Sequence, residues 1–138
     1  MALWTCPDCR RRFGREGQGH ECAPALTVEE YFATGPPHER PVFDAVRAHL
    51  EGVGPIYVEP VSVGVFFKRR RVVVQLRPMT RWVAVGFVLE RRLESPRLAR
   101  KVIGAGTRWW HVVNVRRPEE VDDELRGWLT EAYLADGP

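Results

Sequence analysis

Every cysteine in the chain, and one of its four histidines, lies in the stretch CPDCRRRFGREGQGHEC that runs from Cys6 to Cys22. Cys6-Pro7-Asp8-Cys9 has the spacing of a zinc knuckle, in which two thiolates on a tight turn face one ion. Ten residues later come His20 and Cys22, which extended chain would point the same way and which can complete a tetrahedron from the other side. Gly14, Gly17 and Gly19 let the intervening loop turn tightly. Three thiolates and a neutral imidazole on Zn²⁺ leave a formal negative charge, which Arg10, Arg11, Arg12 and Arg15 in the same loop can offset. The competing chemistry is a redox C-x-x-C, which normally opens a helix after a strand. Arg- and Gly-rich sequence follows instead, and two further ligand types wait at a suitable distance. All four positions would be filled by protein, so the expected role of the metal is structural.

The same stretch resembles short Cys-Cys-His-Cys zinc fingers of the pattern C-x-x-C-x-R-x-F…H-x-C, with Arg11 and Phe13 at the matching positions. The resemblance implies that Phe13 is the mini-core of the finger. The H-x-C ending departs from ββα fingers, so no base-reading helix is implied.

Three other groups are candidates for chemistry. Lys68, Arg69, Arg70 and Arg71 fall at an expected hairpin tip, Arg77 and Arg81 near the next turn, and Arg108 at the start of the last strand. Converged, they would hold phosphates, with Trp82, Trp109 or Trp110 available to stack bases. Scattered, they would be solvated turns neutralised by the acidic C-terminal helix. Trp109 and His111 could line a small-ligand pocket, or His111 could be a hydrogen-bonded core residue. Glu119, Glu120, Asp122, Asp123 and Glu124 are carboxylates suited to the first turns of a helix, where the dipole favours them without any ligand. No phosphate-cradling glycine motif and no nucleophile elbow is present, and no catalytic set can be named.

The charge is segregated. Residues 64–117 carry 14 Lys/Arg against Glu90 and Glu94, whereas residues 118–138 carry seven acids against Arg126. Nineteen of the 21 basic residues are Arg, which a codon bias would also produce, but bias does not explain their position. At 138 residues the chain is expected to form one domain with a small appendage. No apolar run is long enough to span a bilayer, and no signal peptide is recognisable, so no membrane role is expected and the cytoplasm is the default. An odd number of cysteines argues against a secreted disulfide framework.

Patterning supplies the elements that must position these groups. Thr27-Val28-Glu29-Glu30 is a capping box and predicts a short helix over 28–34. GPPHERP then reads as a linker, with a second helix over 41–51 whose stripe is Phe43, Val46 and Leu50. Period-two alternation predicts strands at 56–59, 62–67, 72–76, 82–89 and 108–115. Ser95-Pro96 can start a helix over 96–102, and Pro118 a final helix over 118–134 with the stripe Val121, Leu125, Trp128, Leu129, Ala132 and Tyr133. The expected fold is α+β: an antiparallel sheet of about five strands with helices mainly on one face, preceded by the finger. The expected division is a finger at 1–24, a short helix and linker at 25–40, and the α+β domain at 41–138.

The motifs VGVFFKRR (63–70) and RWWHVVNVRRPEEVDDELRGWLTEAY (108–133) resemble a family of bacterial and archaeal domains of unknown function, DUF5655, over about residues 40–135. The resemblance carries no activity and no catalytic residue. Related domains attached to DNA-restriction-like proteins hint at nucleic acid. The sequence therefore reads as a non-catalytic zinc-containing protein whose Arg-rich turns contact nucleic acid. A protein-interaction adaptor and a small-ligand sensor or enzyme using Trp109 and His111 are the alternatives. The oligomeric state is not legible.

Overall fold

The structure is a computed structural model that describes residues 3–23 and 25–137. Two short strands, β1 (Trp4–Thr5) and β2 (Arg12–Phe13), form a small antiparallel ladder around the cysteine turn. The helices α1 (Val28–Phe32) and α2 (Glu39–Val53) follow. Then come β3 (Tyr57–Val61), β4 (Gly64–Lys68), β5 (Val72–Pro78), β6 (Val83–Leu89), β7 (Ile103–Ala105) and β8 (Arg108–Val115). A 3₁₀ turn at Pro118–Glu120 leads into α3 (Asp123–Ala135). The last six strands make one antiparallel sheet in the order β3-β4-β5-β6-β8-β7. The architecture is α+β, as expected, with six strands in the main sheet rather than five.

Alternation assigns the two faces. Val65, Val74, Leu76, Val83, Val85, Phe87, Leu89, Val113 and Val115 point inward and are essentially inaccessible. Against them lie Phe43, Val46 and Leu50 of α2 and Leu125, Leu129, Ala132 and Tyr133 of α3, the stripes that helical periodicity predicts. Burying a Phe or Leu of this kind contributes about 1.5–3 kcal/mol, so this layer is the main source of stability. Among the described residues no helix is long and apolar enough to cross a membrane.

The capping box forms as read: Thr27 Oγ1 accepts from the Glu30 N–H at 3.1 Å, and Glu30 Oε1 accepts from the Thr27 N–H at 2.9 Å. The helix is shorter than expected, but the Tyr31 hydroxyl donates to the buried Glu39 carboxylate and ties α1 to the start of α2. Burial raises the pKa of Glu39.

Two expectations are corrected. Residues 96–102 form no helix, because the free edge of β8 claims them: Leu98 bridges Val113, and the Ala99 N–H donates to the Val112 carbonyl at 2.8 Å. The same edge then recruits β7, a strand the sequence reading lacked, through a turn in which Gly106 takes φ 64°. The final helix is also broken. Asp122 adopts extended backbone and its side chain accepts from the Leu125 N–H at 3.0 Å, so α3 starts there and Pro118–Glu120 stays a separate turn.

Candidate metal centre and basic surface

The knuckle turn is built by its own backbone. The Arg10 N–H donates to the Cys6 carbonyl and the Cys6 N–H to the Arg11 carbonyl, each at 2.9 Å, with Arg10 at φ 66°. This brings Cys6 and Cys9 together, and the Gly-rich loop returns His20 and Cys22 to them. One ligand atom from each of the four residues lies within 4.8 Å of every other. The Cys6–Cys22 Sγ separation is 3.8 Å, and His20 Nε2 is 3.3 Å from both Cys9 Sγ and Cys22 Sγ. A tetrahedral zinc with Zn–S of about 2.3 Å and Zn–N of about 2.0–2.1 Å requires S···S of about 3.8 Å and S···N of about 3.6 Å. The S···S separation matches, the two S···N separations are about 0.3 Å shorter, and the Cys₃His donor set is one that could hold a zinc ion.

The tautomer fits as well. His20 Nδ1 donates to the Gln18 carbonyl at 2.6 Å, which leaves the Nε2 lone pair directed at the sulfurs. Hydrogen bonding from the Cys9 backbone lowers the Cys6 thiol to about 7. Desolvation, and then the adjoining sulfurs, push Cys22 up to about 11. Three thiolates so close together repel, and a divalent ion resolves the conflict. Phe13 is buried beneath the cluster with its ring 4.0 Å from that of His20, so it is the mini-core that the finger resemblance implies.

The finger is seated on the outer face of the sheet. Glu59 of β3 is fully buried there. It accepts from Arg11 Nε at 3.0 Å, and Lys68 Nζ of the neighbouring β4 lies 3.0 Å from the same oxygen. Lys68 also donates to the Arg12 carbonyl at 2.8 Å and sits 4.3 Å above the Phe13 ring. Burial lowers the Lys68 pKa and the Glu59 charge opposes that shift. At the next turn the loop backbone at Gly14 packs so closely on the Arg70 carbonyl that a Cβ has no room.

The seven basic residues singled out in the sequence therefore divide. Lys68 is buried under the finger. Arg69 donates to the Tyr133 carbonyl at 2.9 Å and stacks on that ring. Arg71 pairs with the buried Asp136 at 3.0 Å, and the same carboxylate accepts from the N–H groups of Arg70 and Arg71. Arg70, Arg77, Arg81 and Arg108 form no ion pair among the described residues. Arg70 and Arg71 join Arg15 of the finger loop in lining a cleft of about 520 Å³ that has no carboxylate in its walls. Arg77 stands apart, on the outer face of β5 opposite Ala84. Arg108 lies beside Arg71, whose charge adds to burial in lowering its pKa.

His111 is fully buried, stacked on Phe87, and its Nε2 accepts from the Leu93 N–H at 3.0 Å. Trp109 lies at the sheet edge over Gly104, near the Arg92 guanidinium. The acidic run is drawn into local contacts: Asp122 and Glu124 bind Arg97 at 2.8 and 3.0 Å, Asp123 pairs with Arg126, and Glu120 accepts from the Arg116 N–H. Sequence reasoning missed Glu59 and Asp136, the acids that organise the basic turns. The available signal for Glu59 was a lone carboxylate inside the apolar strand YVEPV.

Comparison with known proteins gives a match to one family model, a domain of unknown function (DUF5655), over residues 28–135. The match starts before the resemblance read from the sequence and takes in α1, while the metal cluster lies outside it. No curated protein matches the chain, and no solved structure does.

Proposed function

This chain belongs to the DUF5655 family of domains of unknown function, and because that membership brings no activity we propose, from geometry, that it is a non-catalytic nucleic-acid-binding protein organised by a structural zinc. The observation that carries the reading is the cleft between the finger loop and the β4–β5 turn. Arg15, Arg70 and Arg71 line it, and Gly14, Gln18 and Gly19 supply the rest, with no acid among them. An exposed groove of one sign draws in a polyanion and holds it by releasing its counterions. The zinc acts at a distance: it fixes the loop that carries Arg15, and the Arg11–Glu59–Lys68 contacts set that loop against the turn.

The test is retention of the zinc-loaded protein on single-stranded and duplex DNA at low ionic strength. Binding should weaken as salt rises. Replacing Arg15 and Arg70 with Glu should abolish it without unfolding the chain, since neither side chain forms an ion pair among the described residues. Arg69 and Arg71 are poor test positions because both hold Tyr133 or Asp136 in place. Failure of the unmodified protein to bind either form of DNA at low salt would end this reading.

A further inference from the structure

The outer face of the sheet is only partly covered by the finger. Beyond it, in the middle of the sheet, the outward positions carry the smallest side chains available: Ala84 and Gly86 of β6, with Val112 of β8 opposite Gly86. They form the floor of a recess of about 160 Å³. One wall is the indole of Trp110, whose six-membered ring lies over Gly86 so closely that a Cβ there would overlap it. Two guanidiniums also line the recess. Arg77 comes from β5, and Arg100 from the segment pinned to β8 by the Ala99–Val112 hydrogen bond. Gln75, opposite Gly86 on β5, adds a carboxamide.

Each component narrows the ligand. Neither Arg77 nor Arg100 forms an ion pair among the described residues, and no carboxylate lines the recess, so it favours an anion. This contrasts with Arg71, Arg91 and Arg97, which are all held by acids. An indole beside a flat floor favours a planar ring. The volume lies below the roughly 300 Å³ at which enclosed small-molecule sites begin, so the recess takes one flat unit while the remainder of the ligand lies outside it. A base that enters a recess in a sheet must be unpaired from the partner strand and unstacked from its neighbours.

We propose that this recess is a subsite for one nucleotide of a single strand, the base lodged against Trp110 and an adjacent phosphate held by Arg77 and Arg100. It rests on the nucleic-acid reading above and adds strand selectivity to it. The basic cleft grips either form of nucleic acid by charge, whereas the outer-face recess accepts only an unpaired base.

The experiment is fluorescence anisotropy of the zinc-loaded 138-residue chain with a labelled 12-nucleotide dT strand and with the same strand annealed to its dA complement. The R77A/R100A variant changes two exposed side chains and should keep the fold, which far-UV circular dichroism checks. Its affinity for the single strand should fall about tenfold or more, and the slope of log affinity against log salt should shrink by about 0.7, the contribution of one phosphate. Duplex affinity should stay within twofold. Trp110→Phe should also weaken strand binding, with an unchanged salt slope. An R77A/R100A protein that binds the single strand as the unmodified one does would overturn the subsite and leave the cleft standing. Equal losses on strand and duplex would overturn it too, by making the two arginines part of a general charge surface. Loss of binding in the Arg15/Arg70 variant alone bears on the cleft. Thymidine monophosphate should compete only at millimolar concentration; competition at micromolar concentration would overturn the strand unit in favour of a free nucleotide.

Discussion

The carboxylate of Glu59 is wholly buried and receives Arg11 Nε of the finger at 3.0 Å, while Lys68 Nζ lies 3.0 Å from the same oxygen. One acid on β3 thus pairs with two cations and joins the metal-binding segment to the sheet. Removing one partner from a buried charge group costs about 3–5 kcal/mol, because the charges left behind have no water. Glu59→Gln should therefore destabilise the protein by about that much in urea or guanidinium unfolding. The double variant Glu59→Gln, Lys68→Met removes the stranded ammonium and should recover part of the loss. Additive losses in the double variant would show that the two residues do not act as a unit.

Metal removal should follow the same junction. Structural zinc in finger peptides contributes on the order of 10 kcal/mol at neutral pH, so residues 4–22 should lose their protection from hydrogen exchange when chelator is added. Because Arg11, Arg12 and Phe13 cover Lys68 and Glu59, protection should also fall along β3 and β4. It should persist in β6, which packs on α3, and in β8 paired beside it. Elemental analysis of reduced protein should give one zinc per chain. Exchange rates in β3 and β4 that ignore the chelator would mean the finger is not seated there.

These relationships separate what the sequence makes legible from what it does not. The ligands Cys6, Cys9, His20 and Cys22 are readable because their geometry is local: a two-residue gap, a glycine loop and a one-residue gap. Phe43, Val46 and Leu50 are readable because helical spacing places them together whatever packs against them. The basic run at 68–71 misleads because chain proximity is not surface proximity. Strand alternation turns Lys68 under the finger, and the turn sends Arg69 to Tyr133 and Arg71 to Asp136. Those partners come from β3, β2 and the C-terminal end, and only strand order brings them near. The segment 96–102 has a valid helix start signal, but pairing with the exposed edge of β8 overrides it. The recess under Trp110 needs Gly86 and Val112 to be neighbours across strands, which no local pattern encodes.

Two glycines with opposite surroundings provide a direct check on the packing. Gly127 lies in the middle of α3 with nothing within 4 Å of an added Cβ. Gly127→Ala should stabilise the protein by about 0.5–1 kcal/mol through helix propensity. Gly64 opens β4, and a Cβ there would overlap the Leu76 carbonyl of β5, which is backbone and cannot swing aside. Gly64→Ala should cost about 1–3 kcal/mol or more. Melting temperatures of the two variants should move in opposite directions, and a Gly64→Ala protein as stable as the parent would contradict the β4–β5 register.

The last prediction concerns acid. His111 is buried on β8 with Nε2 occupied by the Leu93 N–H, so Nδ1 carries its proton and has no partner among the described residues. Burial is the main cause of a lowered pKa; Arg91 adds to it, and the backbone and Glu131 oppose it. The folded pKa therefore lies below the 6.5 of an unperturbed histidine. Between those two values the unfolded chain binds the extra proton and the folded chain does not, so stability is complete above about pH 6.5 and declines as pH falls through that window. Protonating Nε2 would also displace the Leu93 N–H. His49, on α2 with Nε2 2.8 Å from Thr130 Oγ1, is lowered by burial as well and contributes in the same direction. His111→Gln keeps an acceptor for Leu93 and removes one titration. Unfolding free energies at pH 7.5 and 5.5 should differ less in His111→Gln than in the parent, with His49 contributing to the slope that remains and the raised pKa of Glu39 opposing it. An unchanged difference would mean that His111 is protonated equally in both states, which a fully buried ring with an occupied Nε2 does not allow.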